Sequence, residues 1–284
     1  MAERVEIVEV APHSGLQNEP HAIPYSDKIA LIDILSRVGF RRIEVAGFAS
    51  RSQVPHMVDA EKVLLGIERY PRVAYTALVA NLTEFDRART SRVDGIAVMA
   101  SASDGFSRAN LGCSIWESLE RYKAVIDTAK IDNIPVRGYV SCVTDCPYDG
   151  PTPPDMVALV AKSLTNLGCH EISLGDTIGK GRPETISAML VEVLRDVPAS
   201  QLAADFHDTH GCALDNIEIA LAHGLRAFDA SVGGLGGAPF TPGAPGQVAT
   251  EALNARVLAL DFETRLRPEV LDEAAAFAKA LRNG

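Results

Sequence analysis

Short runs of β-branched and other apolar residues alternate along this chain with segments whose apolar positions recur at helical spacing. The runs are Val5–Val10, Arg42–Val45, Val73–Val79, Gly95–Met99, Val136–Ser141, Glu171–Leu174, Ala203–Phe206 and Ala227–Val232. The helical segments are Lys28–Val38, Glu61–Arg69, Glu84–Arg92, Ser114–Ala129, Pro154–Leu167, Glu184–Leu194, Leu214–His223 and Thr250–Leu260. A strand shows apolar residues at every second position or as one short run, a helix at every third or fourth. Asn81-Leu82-Thr83-Glu84 and Ser114-Ile115-Trp116-Glu117 read as helix starts, with a capping side chain and an acidic residue three positions on. Gly39, Gly168 and Gly224 follow helices, where a left-handed residue is wanted.

Strand–helix alternation with short links predicts parallel strands joined by right-handed crossovers. Eight such units in 284 residues predict a closed α/β barrel of the (β/α)₈ TIM type. No Pro- or Ser-rich linker interrupts the series, so residues 1–284 are expected to form one domain, with a further helix at Pro268–Arg282 across the outside. A six-stranded doubly wound sheet competes with this reading, but no G-x-G-x-x-G follows the first strand.

Composition narrows the partners. The chain is 47% hydrophobic with a net charge of −10, which argues against nucleic acid and anionic membrane. A small anionic substrate stays open if a few basic residues line one cleft. No apolar stretch reaches the roughly eighteen residues that a spanning helix needs. Met1-Ala2-Glu3-Arg4 leads straight into a strand rather than a signal peptide, so a cytoplasmic location is expected. The 5 cysteines are odd in number and scattered, which suits a reducing compartment. Cys142 and Cys146 have no second cysteine pair with which to hold zinc.

In a barrel the loops at the strands' carboxyl ends build the site. The first strand runs out into His13-Ser14-Gly15-Leu16-Gln17-Asn18-Glu19, and the second carries Glu44. The sixth enters Gly175-Asp176-Thr177, the seventh gives Asp205-Phe206-His207-Asp208, and the eighth leads to Gly233-Gly234-Leu235-Gly236-Gly237. An opposite-end loop such as Pro198-Ala199-Ser200 carries no such set. Asp205 and His207 are two apart and share a strand face, which points into the barrel if Phe206 faces the helices. They could simply hydrogen-bond to each other. An interior carboxylate costs several kcal/mol unless it is paired or ligates a cation, so some partner is required. Glu44 alternates with Ile43 and Val45; a structural pairing with Arg42 competes with a functional role. Asp176 could cap the glycine-rich turn that follows it or do acid–base work. The glycines after the eighth strand could free backbone N–H groups for a phosphate or carboxylate, or close a tight turn. His21, His56, His170, His210 and His223 read as ordinary loop or surface residues.

Glu9-Val10 through Gly15-Leu16-Gln17-Asn18-Glu19 resembles the opening motif of 3-hydroxy-3-methylglutaryl-CoA lyases, E-V-G-P-R-D-G-L-Q-N-E. The resemblance continues through Arg137-Gly138-Tyr139-Val140-Ser141-Cys142, Cys146-Pro147-Tyr148, Glu171–Gly179, His207-Asp208-Thr209, Gly234-Leu235-Gly236-Gly237 and Ala249-Thr250-Glu251. It covers nearly the whole chain in order. It implies a barrel, a divalent cation and retro-Claisen cleavage of a tertiary 3-hydroxyacyl-CoA. It also implies catalytic roles for Glu44 and Asp176 and a metal-ligating role for His207.

The departures fall at the chemistry. Where the family has an enolate-stabilising arginine this chain has His13, and the adjacent ligating aspartate is Ser14. The first histidine of the H-x-H ligand pair is Asp205, the ligating asparagine is Gln247, and the acid cysteine of the G-G-C-P loop is Ala238. The candidate catalytic residues are therefore His13, Glu44 and Asp176. Gln17, Gly236 and Gly237 are substrate-binding candidates, and Asp205, His207 and Gln247 are candidate ligands for Mg²⁺ or Mn²⁺. The competing reading leaves Asp205 paired with His207 or His13 and no metal bound. The expected activity is a carbon–carbon lyase acting on a 3-hydroxyacyl-CoA or similar hydroxy acid, in a homo-oligomer. A metal-independent lyase or hydrolase on another acyl substrate, or a non-catalytic acyl-CoA-binding relative, are the alternatives.

Overall fold

The computed structural model describes residues 2–19, 21–48, 59–237, 240 and 244–283. Its barrel strands are β1 (Glu6–Glu9), β2 (Arg42–Gly47), β3 (Ala74–Leu78), β4 (Gly95–Ser101), β5 (Val136–Ser141), β6 (Glu171–Asp176), β7 (Leu202–Phe206) and β8 (Ala227–Ala230). They are parallel and in sequential order, and β8 closes onto β1 from Glu6 beside Ala227 to Glu9 beside Ala230. The helices are α1 (Tyr25–Val38), α2 (Ala60–Gly66), α3 (Leu82–Thr90), α4 (Asp104–Leu111), α5 (Ile115–Ile131), α6 (Pro154–Leu167), α7 (Pro183–Val193), α8 (Ala213–Ala222), α9 (Thr250–Ala259) and α10 (Pro268–Asn283).

Local chemistry explains the ends of these elements. Asn81 accepts the Glu84 N–H at the start of α3, and Ser114 with Glu117 forms a full capping box on α5. Helices α1 and α6 stop at Gly39 and Gly168, whose φ of 116° and 115° no side-chain-bearing residue adopts cheaply. The C-terminal helix packs against α1, tied by an Arg37–Glu273 ion pair.

Strand alternation then divides the polar from the apolar. Ile43, Val45, Val98, Val140, Leu174, Phe206 and Phe228 are buried in the hydrophobic layer beneath the helices. The alternate positions turn inward, and toward the amino ends of the strands they are charged. Arg42 donates to Glu171 at 2.7 and 3.1 Å and to Glu6 at 2.9 Å. Arg137 donates to the same Glu171 at 2.7 Å and to Asp229 Oδ2 at 3.0 Å, and Ser173 donates to Asp229 at 2.7 Å. Buried guanidinium and carboxylate groups persist because each has an opposite charge in reach. Arg42 is thus occupied at the amino end, and the structural Arg42–Glu44 pairing weighed from sequence does not form.

Candidate active site

The site is assembled where the strands end. After β1 the chain tightens into one wide turn, Ala11–Gly15, in which the Val10 carbonyl accepts the N–H groups of His13, Ser14 and Gly15. Wide turns of this kind cluster at functional positions, and here the turn carries His13 inward. On β2 the register against β3 slips between Glu44 and Ala46, a bulge beside Glu44. The two residues meet, with His13 Nδ1 2.6 Å from Glu44 Oε1. Tyr139 on β5 donates its hydroxyl to Glu44 Oε2 at 2.9 Å, so both carboxylate oxygens are engaged. Burial opposes ionisation of Glu44, but the hydrogen bond and charge of His13, then Arg137 and Tyr139, hold it below the usual carboxylate range.

Asp176 is fully buried at the end of β6. Thr144 donates to its Oδ1 at 2.7 Å and the Gly181 N–H to its Oδ2 at 2.8 Å. The turn-capping role weighed from sequence is therefore real, and it coexists with a place in the cavity. Burial raises the Asp176 carboxyl above its usual range, against those two hydrogen bonds and the charge of His207.

Asp205 and His207 both turn into the barrel end, half-buried, yet no bond joins them. Asp205 Oδ1, His207 Nδ1 and Gln247 Oε1 are each shielded from solvent without a hydrogen-bond partner among the described residues. Gln247 reaches both elements: its backbone bridges His207, and its side chain hydrogen-bonds Asp205. Burial raises Asp205 and lowers His207 to about 4, leaving an imidazole that is neutral at physiological pH. Neutral imidazole, amide oxygen and carboxylate with unused lone pairs form a set suited to a divalent cation. Unpaired buried polar atoms cost about 1–3 kcal/mol each, which favours a ligand that answers all three. Among the described residues no group of three His, Cys, Asp or Glu is placed to hold a metal; the set named here has one carboxylate, one imidazole and one amide.

The remaining candidates divide. Gln17 sits half-buried in a short 3₁₀ turn, Leu16–Asn18, beside the His13 turn. The glycine-rich loop after β8 does not offer a row of free N–H groups. Gly233 donates to Glu251, Gly234 to the Ser231 carbonyl and Gly236 to Glu19 at a long 3.4 Å. Gly236 is glycine because its φ is 88° and a Cβ there would lie 2.9 Å from the Ser14 carbonyl oxygen. It shapes a close approach between two loops, and Gly237 follows it at the rim. Ala238 lies outside the described residues, as does His56. Of the other histidines, His21, His170 and His223 hydrogen-bond the Leu281 carbonyl, the Val136 carbonyl and the Ser187 hydroxyl. Phe106 of α4, Tyr148 after β5 and Phe240 after β8 meet tilted or edge-on, with ring centroids 6.1–6.4 Å apart.

The sequence reading assigned no role to Arg137, Tyr139, Glu171, Ser173, Asp229 or Thr144. The two-residue rule that paired Asp205 with His207 would have found most of them, since 137/139, 171/173 and 229/231 follow it. Glu9 was also passed over. It accepts from Ala11 and Val232 N–H groups and the Thr250 hydroxyl, and burial pushes its carboxyl up to about 8.

Comparison with known proteins agrees with this geometry. The family model described as HMGL-like matches residues 4–277. A Danio rerio protein named 3-hydroxy-3-methylglutaryl-CoA lyase, cytoplasmic, is 50% identical over 92% of this chain and 78% of its own. A Pseudomonas aeruginosa protein named 3-hydroxy-3-isohexenylglutaryl-CoA/hydroxy-methylglutaryl-CoA lyase is 44% identical over 96% of this chain and 91% of its own. The crystal structure of the HMG-CoA lyase from Brucella melitensis superposes with a TM-score of 0.99 at 52% identity, covering 100% of both chains. A polar constellation at the carboxyl ends of a closed barrel, with relatives of this identity over nearly the whole length, leaves one assignment: the chain belongs to the HMGL-like family.

Proposed function

We propose that the chain is a carbon–carbon lyase that cleaves a 3-hydroxyacyl-CoA or a closely similar hydroxy acid. The observation that carries this reading is the convergence of the His13–Glu44 couple, Asp176 and three unpartnered donor atoms at one barrel end. Relatives of 44–50% identity bear lyase names of this kind.

Cleavage needs a base for the C3 hydroxyl and a positive or donating group for the oxygen of the departing enolate. Asp176, with a carboxyl raised by burial, takes the hydroxyl proton. The resulting alkoxide collapses to a carbonyl, the C2–C3 bond breaks, and its electron pair passes into the thioester as an enolate, which takes back at C2 the proton held by Asp176 and leaves as the shortened acyl-CoA. His13 Nε2 faces that enolate oxygen while Glu44 holds Nδ1. Gln17, Gly236 and Gly237 line the approach, and the rings of Phe106, Tyr148 and Phe240 offer an apolar surface to the acyl chain.

HMGL-like lyases are generally dependent on a divalent cation. Asp205, His207 and Gln247 would hold Mg²⁺ or Mn²⁺ here, and the cation would supply an electrophile for the substrate's oxygens. A cytoplasmic location and a homo-oligomer belong to the same proposal. The Danio rerio relative is named as cytoplasmic, and no described helix is long and apolar enough to cross a membrane.

The test is incubation of purified protein with 3-hydroxy-3-methylglutaryl-CoA and longer-chain homologues, with and without Mg²⁺, reading release of acetyl-CoA. Thioester hydrolysis without carbon–carbon cleavage would support the hydrolase alternative. Binding without turnover of any homologue would support a non-catalytic relative.

A further inference from the structure

The His13–Glu44 couple does not stand alone. Glu44 Oε2 accepts the Tyr139 hydroxyl at 2.9 Å, and that hydroxyl oxygen accepts Arg137 Nη1 at 2.8 Å. Arg137 is in turn locked by Glu171 and Asp229, and its guanidinium stacks 4.9 Å from the Tyr139 ring centroid. The phenol has one proton. Because Arg137 can only donate, that proton must go to Glu44. Burial keeps Tyr139 protonated, its pKa held well above the usual phenol value against the charge of Arg137. The direction of every bond from Arg137 to Glu44 is thereby fixed.

Glu44 without Tyr139 would be a carboxylate with one oxygen unsatisfied in the barrel interior. It would be free to rotate, or to reach into the cavity instead of holding His13. On the far side of the ring, Gly47 leaves room where a Cβ would lie 2.6 Å from His13 Nε2. Glu44 behind and Gly47 beside thus define one ring position.

We infer that Tyr139, braced by Arg137, is a positioning residue that keeps His13 protonated on Nδ1 and presents Nε2 to the ligand. It touches no reacting atom itself. The inference rests on the catalytic reading of His13 given above, and it adds a residue that acts only through that imidazole.

Tyr139→Phe removes one hydroxyl and keeps the ring stacked on Arg137. Nitrogen NMR of histidine-labelled protein, with His13 assigned by its loss in His13→Gln, reads without substrate which ring nitrogens carry a proton. The wild type should show a proton on Nδ1, held by Glu44, and one on Nε2, the donor an enolate oxygen needs, and Tyr139→Phe should show a neutral ring with its proton on either nitrogen. On whichever 3-hydroxyacyl thioester is cleaved, Tyr139→Phe should lower kcat about tenfold, the loss expected for one hydrogen bond to a charged group, with KM little changed. In the His13→Gln background the same change should cost nothing further. Unchanged His13 ring protons, or losses that multiply in the double variant, overturn the inference. An inactive protein that still shows the change in ring protons would refute the lyase reading and leave this positioning role intact.

Discussion

His13 Nδ1 and Glu44 Oε1 lie 2.6 Å apart, joining the turn after β1 to the middle of β2. A contact this short between imidazole and carboxylate is a charge-assisted hydrogen bond, about twice as strong as a neutral one. It makes histidine, at the position where the family pattern has arginine, a group whose orientation is fixed by its neighbour.

That pair gives the most direct prediction. His13→Ala should lower kcat by about 10²–10³-fold, the range for loss of an oxyanion-stabilising group. Gly47→Ala should mimic much of the loss, because its methyl would meet Nε2 at 2.6 Å and push the ring away. Steady-state kinetics on both variants check this. A Gly47→Ala protein with wild-type kcat would show that ring position does not matter.

The second prediction concerns cation binding. Calorimetric titration of Mn²⁺ or Mg²⁺ into wild type should show a site that is lost in Asp205→Ala and weakened in Gln247→Ala. Gln247 is one methylene longer than asparagine and loses more rotamer freedom when fixed, so the affinity should be modest. Absence of heat at millimolar cation in the wild type would remove the metal from the account.

Activity on 3-hydroxy-3-methylglutaryl-CoA itself should fall short of that of family members carrying the arginine and the cysteine. General acid–base groups contribute roughly 10²–10⁴-fold each, and Ala238 has no proton to give. Side-by-side specific activities decide this. Equality with an ordinary family member would mean that His13 and its neighbours compensate fully.

A fourth prediction is thermodynamic. Burial pushes the Glu171 carboxyl up, but Arg137 and Arg42 outweigh it and hold the group at about 2, below the usual 4.5. A carboxyl lowered on folding stabilises fully above its unfolded pKa and loses that stabilisation as pH falls toward the folded one. The ion pairs should therefore contribute on the order of 3 kcal/mol at neutral pH, fading between about pH 4.5 and 2. Urea unfolding across that range should show a steep decline in wild type and a flatter, lower curve in Glu171→Gln. Parallel curves would contradict it.

The barrel was legible because its period is strong. Val136–Ser141 and Pro154–Leu167 begin and end where the apolar pattern does, and other boundaries moved by a few residues. Helix α4 was not legible, since Asp104–Leu111 has too few apolar residues to show a period and forms on the Ser103 cap. The inward face shared by Glu44, Asp205 and His207 followed from strand alternation, and the place of Asp176 from its position at the end of β6. Their partners did not. That His13 meets Glu44 rather than Asp205 depends on the turn at Ala11–Gly15 and the bulge beside Glu44, neither of which has a composition signature. The glycine run misled in part, because composition cannot show that Glu19, Ser231 and Glu251 already occupy its N–H groups.

The interlocked charges of Arg137, Glu171 and Asp229 carry a consequence for how this barrel can diverge. Removing any one of them strands a buried charge at roughly 3–5 kcal/mol, a large share of a typical domain's 5–15 kcal/mol. Single mutations there cost much of the folding free energy, and paired exchanges cost less. At the other end of the cylinder His13, Ser14, Asp205 and Gln247 replace four residues of the family pattern, and the strands still close. The chemistry at one end can thus change at little cost to the fold, whereas the charges at the opposite end are costly to alter. New substrate preferences in such a lineage would arise by successive point changes among the loops after β1, β7 and β8.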